Sequence, residues 1–171
     1  ASRIAWFKER MGKGNKMSLL AEESGKLTKL GELYVHMPVH DAAVFYPVPG
    51  RIEAEGDTRM NGVSLEMTSD KDGWFNVSRV DPGDWMDYQV DVAAAGTYSV
   101  AVRLASASPV ALRLLENGAE LARIIVPHPQ GGDNWETATV RVRLPAGHQT
   151  LRLEAGSAGV ALNWLEFAQA R

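Results

Sequence analysis

Apolar and polar side chains alternate along several stretches of this chain, and this period of two limits most strongly what the chain can fold into. The stretch GTYSVAVRLAS (96–106) has a large apolar residue at every second position from Tyr98 to Leu104. Residues 137–147 and 148–156 alternate in the same way. This pattern predicts antiparallel strands with one face in a core and the other in water.

Short segments rich in Gly, Pro, Asn and Asp separate these strands. They are DPGD (81–84), AAGT (94–97), ENGAE (116–120), PQGGDN (129–134) and PAGH (145–148). Many short strands joined by such turns, without a convincing helix, predict an all-β fold, either a two-sheet antiparallel sandwich or a barrel.

The composition changes near residues 48–51, which divides the chain into two unlike parts. Residues 17–33 are mixed and at best weakly helical, whereas residues 32–49 are extended in pattern and contain three prolines, as expected of an edge strand or an ordered loop. We interpret residues 1–49 as a linker or the remnant of an upstream module, and residues 50–171 as a β-sandwich module with this N-terminal extension.

Charge and composition exclude several classes of function. Residues 51–171 contain sixteen Asp and Glu against eleven Lys and Arg, so nucleic acid is not an expected partner. There is no cysteine, hence no disulfide and no zinc–thiolate site. No apolar run approaches the ~20 residues that span a bilayer, and residues 1–16 lack the apolar core of a signal peptide.

Five motifs, read in order, resemble those of the family 6 carbohydrate-binding modules. They are IEAE (52–55), NVSRVDPGDWMDY (76–88), AGTY (95–98), LPAGHQTLRL (144–153) and LNWLEF (162–167). The resemblance covers about residues 50–169. It implies a two-sheet antiparallel β-jelly roll that binds oligo- or polysaccharide without doing chemistry. It also implies secretion, and an upstream catalytic domain on the same polypeptide that degrades polysaccharide.

The resemblance offers two possible clefts, and the first lies at the loop end of the sandwich. There the family carries an aromatic ring where this chain has Arg79, while the polar anchor is present as Asn163. Trp135 matches the second tryptophan of the family's aromatic loop, not the first. Trp74 or Phe75 could supply the missing ring. Arg79 favours an anionic or chain-end ligand over the usual stacking site.

The second cleft lies on the concave face of a sheet. Trp85 stands where family members that use this face have their platform tryptophan, and Glu116 or Arg113 could bind a sugar hydroxyl. The alternative for Trp85 is a half-buried sheet residue without a ligand. The sequence is compatible with both clefts, and with a β-glucan, a xylan or an agar-type galactan as the glycan.

The acidic residues of the first motif suggest a cation. Glu53 and Glu55 are two residues apart in an expected strand, so their carboxylates would share a face and repel unless a cation or an arginine lay between them. The resemblance implies structural Ca²⁺ here, with Glu166 and backbone carbonyls of the 68–73 loop as further ligands. The alternative is a solvated strand edge with arginine partners.

The sequence contains no convincing catalytic motif. In HMPVH (36–40) a proline separates two histidines, which disfavours a helical zinc site, and no GxSxG motif exists. Asp84 and Asp87 would point to opposite faces of a strand, and Asp84 is better placed to bind turn amides. We therefore predict a noncatalytic binding module. The alternative is a fragment of a glycoside hydrolase in which the sandwich is a structural accessory domain.

Overall fold

The computed structural model describes residues 3–11, 14–23, 26–35, 45–71, 73–132 and 134–170, with side chains from residue 45 onward. The chain divides into two compact units, Ala1–Ala42 and Ala43–Arg171. In the described residues, no helix is long and apolar enough to cross a membrane. The histidines of HMPVH lie outside the described residues.

The first unit contains an antiparallel sheet of three strands, β1 (Arg3–Met11), β2 (Gly14–Glu23) and β3 (Lys26–Val35), in the order β1-β2-β3. The weak helical tendency expected within residues 17–33 is therefore wrong. Each strand pairs along almost its whole length with its neighbour in the hairpin, and that pairing overrides a weak local propensity. The interpretation of residues 1–49 as a linker or remnant stays a prediction.

The second unit is a sandwich of two sheets, as the sequence predicts. Its strands are β4 (Tyr46–Val48), β5 (Gly50–Glu53), β6 (Arg59–Asn61), β7 (Ser64–Met67), β8 (Phe75–Val80), β9 (Trp85–Val92), β10 (Gly96–Ser106), β11 (Val110–Glu116), β12 (Ala119–Val126), β13 (Glu136–Leu144), β14 (Gly147–Ala155) and β15 (Val160–Gln169). Sheet one has the order β13-β10-β15-β8-β7, with β5 also on β15. Sheet two has the order β12-β11-β14-β9-β4, with β6 also on β9. The all-β sandwich of the jelly-roll class is confirmed.

The core lies between the two sheets and follows the alternation of the sequence. On β10 the side chains from Tyr98 to Leu104 at every second position are buried, and sheet two contributes residues such as Met86 and Leu153. Burial of each such side chain contributes about 1.5–3 kcal/mol to folding. Tyr88 is fully buried, and its hydroxyl donates a 2.8 Å hydrogen bond to the Ala54 carbonyl. The alternate positions of each strand therefore face outward.

Turn chemistry fixes the register of these strands. The Asp84 carboxylate accepts a 2.8 Å hydrogen bond from the Asp81 amide, which confirms its expected role in the DPGD turn. Between β11 and β12, Asn117 and Gly118 both have positive φ, 48° and 86°. Two such residues form the tight turn that matches the twist of a β-hairpin. This turn lies beside the outer face of sheet two.

Candidate functional site

A β-bulge in β15 positions Asn163 at the expected loop-end cleft. Arg103 pairs with Trp164 while Leu104 pairs with Leu162, so Asn163 is the extra residue of the bulge. Bulges re-aim a side chain out of the regular alternation. The Asn163 side chain is fully buried, and its Nδ2 donates a 2.9 Å hydrogen bond to Asp70 Oδ2.

Asp70 lies between two donors and is the centre of this cluster. Its two carboxylate oxygens each accept a 2.8 Å hydrogen bond from Arg103, through Nε and Nη2, and the side chain is only 4% exposed. The hydrogen bonds from Arg103 lower the pKa of Asp70 to about 2, against the opposing effect of burial. The loop between β7 and β8 therefore places the Asp70 carboxylate against Asn163, the expected polar anchor of the cleft.

The same loop approaches Asn163 closely. At Gly73, where φ is 113°, a Cβ would lie 2.9 Å from Asn163 Oδ1, so glycine meets both a conformational and a steric need. Asp70 and Arg103 were not among the site residues expected from the sequence. They come together only because the loop folds back over β10 and β15, and no local pattern signals that contact.

The aromatic residues of the loop-end cleft gather around this loop. Trp135 Nε1 donates a 3.0 Å hydrogen bond to Ser69 Oγ. Trp74 is 79% exposed, and Phe75 is half-buried at the start of β8. Arg79 lies four residues further along β8, exposed and with φ at 52°, where the register between β8 and β15 shifts. It takes no part in the hydrogen bonds described at the Asp70 carboxylate.

Trp85 lies on the outer face of sheet two, half-buried, and arginines flank it. The guanidinium carbon of Arg152 is 3.7 Å from the centroid of the indole ring, and that of Arg59, on the strand at the other side, is 5.8 Å away. Arg152 is itself held by Asp87, through Nε at 2.7 Å and Nη2 at 2.9 Å, and the Asp87 side chain is 5% exposed.

A cavity of about 510 Å³ opens beside this cluster. Its walls include Asp87, Leu115, Asn117, Thr150, Arg152 and Glu154. The lining combines an apolar side chain with hydroxyl, amide and charged groups. Cavities of ~300–1,000 Å³ that mix apolar walls with a few fixed polar groups are typical of small-molecule sites.

Glu116 does not belong to this face, which corrects one expected site residue. It pairs across from Leu151, a core residue, so its side chain lies on the opposite side of the sheet from Trp85. Leu115 lines the cavity instead. Arg113 lies on the same face of sheet two as Trp85, but its guanidinium pairs with Glu154.

The acidic residues of the first motif are arranged differently from the expected strand. β5 ends at Glu53 and a 3-10 turn follows at Ala54–Gly56, so Glu55 does not share a strand face with Glu53. The Glu53 Oε1 atom is 3.0 Å from Arg51 Nε, so one oxygen of this carboxylate has the arginine partner that we considered as the alternative to a cation. Glu166 is exposed and pairs across from Arg51.

Two of these carboxylates nevertheless fit a cation. Glu53 Oε2 and Glu55 Oε2 are both buried and accept no hydrogen bond. Burial also raises the pKa of Glu55. Buried carboxylate oxygens without a donor are the hard ligands that Ca²⁺ prefers. Among the described residues, however, no three acidic or histidine side chains are placed to hold a metal ion together, so Glu166 does not complete a side-chain site with the other two.

Comparisons with known proteins agree with this architecture. The family model for carbohydrate binding module (family 6) matches residues 53–169. The chain is 29% identical to the carbohydrate-binding module CBM6cm-2 of Cellvibrio mixtus lichenase 5A, solved with cellotriose, with a TM-score of 0.67 over 72% of this chain and 98% of that one. It is 27% identical to a β-1,3-glucan-binding module from Bacillus halodurans, with a TM-score of 0.68 over 74% and 100% of the two chains.

A curated relative is an isomaltosyltransferase from Sporosarcina globispora, 31% identical over 84 residues. The match covers 48% of this chain and spans only 8% of the length of that relative.

Proposed function

The chain belongs to the family 6 carbohydrate-binding modules, which are noncatalytic, and from this premise we propose that it binds a β-glucan in the cavity beside Trp85. The cavity is the observation that carries the proposal. Leu115 offers an apolar wall to the C–H face of a sugar, while Asn117 and Thr150 offer partners for hydroxyls. The related modules solved with cellotriose and named for β-1,3-glucan support this choice of ligand.

Such a module would hold an attached polysaccharide-degrading enzyme on its substrate. Tethering raises the effective concentration of the enzyme near the polysaccharide, without any new catalytic contact. Affinity for a single site should be modest, because an open and wet site gains little per contact. An enzyme anchored in this way acts where the polysaccharide is, so we also propose that the protein is extracellular.

Affinity electrophoresis tests the proposal directly. Gels would contain laminarin, barley β-glucan, xylan, agarose or dextran. We expect retardation by a β-glucan. If no polysaccharide retards the protein, the sandwich is a structural accessory domain and the proposal is wrong.

A matched pair of variants locates the site. Thr150→Tyr fills the cavity and should abolish retardation. Thr139→Tyr makes the same change at an exposed strand position on sheet one and should leave retardation unchanged. Equal retardation of both variants would contradict the placement in the cavity.

The loop-end cleft is a second candidate site, because Trp74 is 79% exposed there. An exposed indole is the usual surface for stacking a sugar ring. If the sheet-face site is correct, Trp74→Ala binds β-glucan normally. If Trp74→Ala abolishes binding and Thr150→Tyr does not, the loop-end cleft is the site. Asn163→Ala serves as the companion variant at the polar anchor.

A second candidate ligand is an α-glucan, which the similarity to the isomaltosyltransferase favours. Retardation by dextran but not by laminarin or barley β-glucan would select it. The same gels therefore separate the two glucan classes.

We also propose that Glu53 and Glu55, with backbone carbonyl oxygens, hold Ca²⁺. The two buried oxygens without donors support this proposal. Bound there, Ca²⁺ would neutralise both carboxylates and tie the end of β5 to the 3-10 turn, a structural role.

A further inference from the structure

We propose that Arg152, not Trp85, is the residue that contacts the sugar on this face, and that the site selects uncharged glycans. The inference rests on the function proposed above and deepens it. Trp85 and Asp87 act as positioning residues for the Arg152 guanidinium.

Arg152 occupies one face of the Trp85 indole. The guanidinium carbon of Arg152 lies over the indole ring, 3.7 Å from its centroid, which is van der Waals contact. A sugar ring that stacked on this face of the indole would need the same space. Trp85 therefore supports the arginine, and the sugar meets the guanidinium.

Arg152 keeps hydrogen-bond donors that a ligand can use. A guanidinium has five N–H groups, and two of them bind Asp87. The remaining three belong to a side chain that lines the cavity and is 35% exposed. Asp87 binds one edge of the Arg152 guanidinium, and the Trp85 ring contacts one of its faces. The Arg152 side chain is therefore already restricted and loses little rotamer entropy when a ligand binds.

The charges on the cavity wall are already paired. Glu154, which lines the cavity together with Asp87 and Arg152, binds the Arg113 guanidinium. The Arg152 charge is already compensated by Asp87, which binds it through two hydrogen bonds. Among the residues that line the cavity, a uronate or sulfated sugar would meet no unpaired cation, so the cost of removing its charge from water would not be compensated. A neutral sugar can instead donate a hydroxyl to Glu154 and accept from Arg152. This preference is opposite to the anionic ligand that the sequence predicts from Arg79.

Calorimetric titration of the full chain tests the inference, with cellotriose, laminaritriose and tri-galacturonic acid as probes. We expect binding of a neutral trisaccharide and at least tenfold weaker binding of tri-galacturonic acid. Arg152→Lys keeps the charge but removes the planar fork, and should weaken the neutral trisaccharide at least tenfold. Arg143→Lys, the same change at an exposed position on sheet one, should have no effect.

Trp85 gives a second readout. Trp85→Phe keeps an aromatic face for the guanidinium and should retain affinity within about threefold, whereas Trp85→Ala should lose tenfold. Rescue by the conservative variant separates positioning of Arg152 from mere loss of fold.

These titrations distinguish a failure of the Arg152 inference from a failure of the proposed function. If a neutral trisaccharide binds and Arg152→Lys leaves its affinity unchanged, the role of Arg152 is wrong although the proposed function stands. If tri-galacturonic acid binds as tightly, the charge argument is wrong. If none of the probes binds, both the inference and the proposed function fail. Should Arg152→Lys not fold, the double variant Asp87→Asn/Arg152→Gln leaves no buried unpaired charge, and the same tenfold loss is expected.

Discussion

Replacing Asp70 by asparagine removes the charge at the centre of the loop-end cluster, and the structure predicts both the size and the pH dependence of the effect. The Asp70 carboxylate is nearly buried and receives two hydrogen bonds from Arg103 and one from Asn163. Asp70→Asn removes the negative charge that compensates the Arg103 guanidinium. We therefore expect the variant to be less stable than the wild type at neutral pH.

The magnitude follows from the pKa of Asp70, which the cluster lowers from 3.8 to about 2. A tenfold change in an acid dissociation constant corresponds to about 1.4 kcal/mol, so the ionised form contributes roughly 2–3 kcal/mol. Because the pKa of Asp70 is lower in the folded state, this stabilisation is complete above about pH 4 and is lost as the pH falls through about 2. At pH 2 less than about 0.5 kcal/mol of it should remain.

Urea denaturation at pH 7, 4, 3 and 2 measures the difference in the free energy of unfolding between the wild type and Asp70→Asn. The contributions of the other titrating groups cancel in this difference, because both proteins contain them. A matched control is Glu120→Gln, since the Glu120 carboxylate also receives two hydrogen bonds from an arginine, Arg123, but on the surface. We expect no measurable change for the control, because exposed pairs are screened. A difference between wild type and Asp70→Asn that is the same at pH 7 and pH 2 would refute the reasoning.

Three further predictions concern stability. Tyr88→Phe leaves the Ala54 carbonyl without its buried donor and should lower the free energy of unfolding by about 1–3 kcal/mol, measured by urea denaturation. Gly62→Ala should destabilise more than Gly83→Ala in the same assay: both glycines have positive φ, but a Cβ at residue 62 would lie 1.7 Å from Asp84 Oδ1, while residue 83 has open space. If Ca²⁺ is bound, EDTA should lower the melting temperature and added CaCl₂ but not MgCl₂ should restore it, whereas an unchanged melting curve would argue against the metal.

The fold of the sandwich follows from the sequence because its strands are simple. From Tyr98 to Leu104 the alternation of side chains and the alternation of burial coincide, since a strand has a side-chain period of two. The same reasoning fails for Glu55, because a 3-10 turn interrupts the alternation at Ala54. The weak helical tendency expected in residues 17–33 is wrong for a different reason. These residues pair with neighbouring strands, and the local sequence pattern does not specify that pairing.

The site is less predictable, because its contacts are long-range. The motifs predict Trp85 and Asn163 as site residues, but the groups that contact them come from other strands or loops. Arg152 reaches Trp85 from the adjacent strand, and Asp70 reaches Asn163 across ninety-three positions of sequence. The expectation that Glu116 shares a face with Trp85 is wrong, because strand register decides which of two neighbouring residues faces the cavity.

A comparison of Arg103 with Arg152 explains why we propose a sugar site on sheet two and not beside Arg103. Each guanidinium binds a nearly buried aspartate through two hydrogen bonds, so their local chemistry is almost the same. The difference lies in where the aspartate comes from. Asp87 belongs to a neighbouring strand of the same sheet, and a partner within the sheet cannot cover the outer side of the arginine. Asp70 belongs to a loop that folds over the sheet, so the groups that bind Arg103 also cover it, and its side chain is 23% exposed against 35% for Arg152. A sugar at Arg103 would have to displace this loop and break its hydrogen bonds, whereas a sugar at Arg152 can use donors that are already oriented.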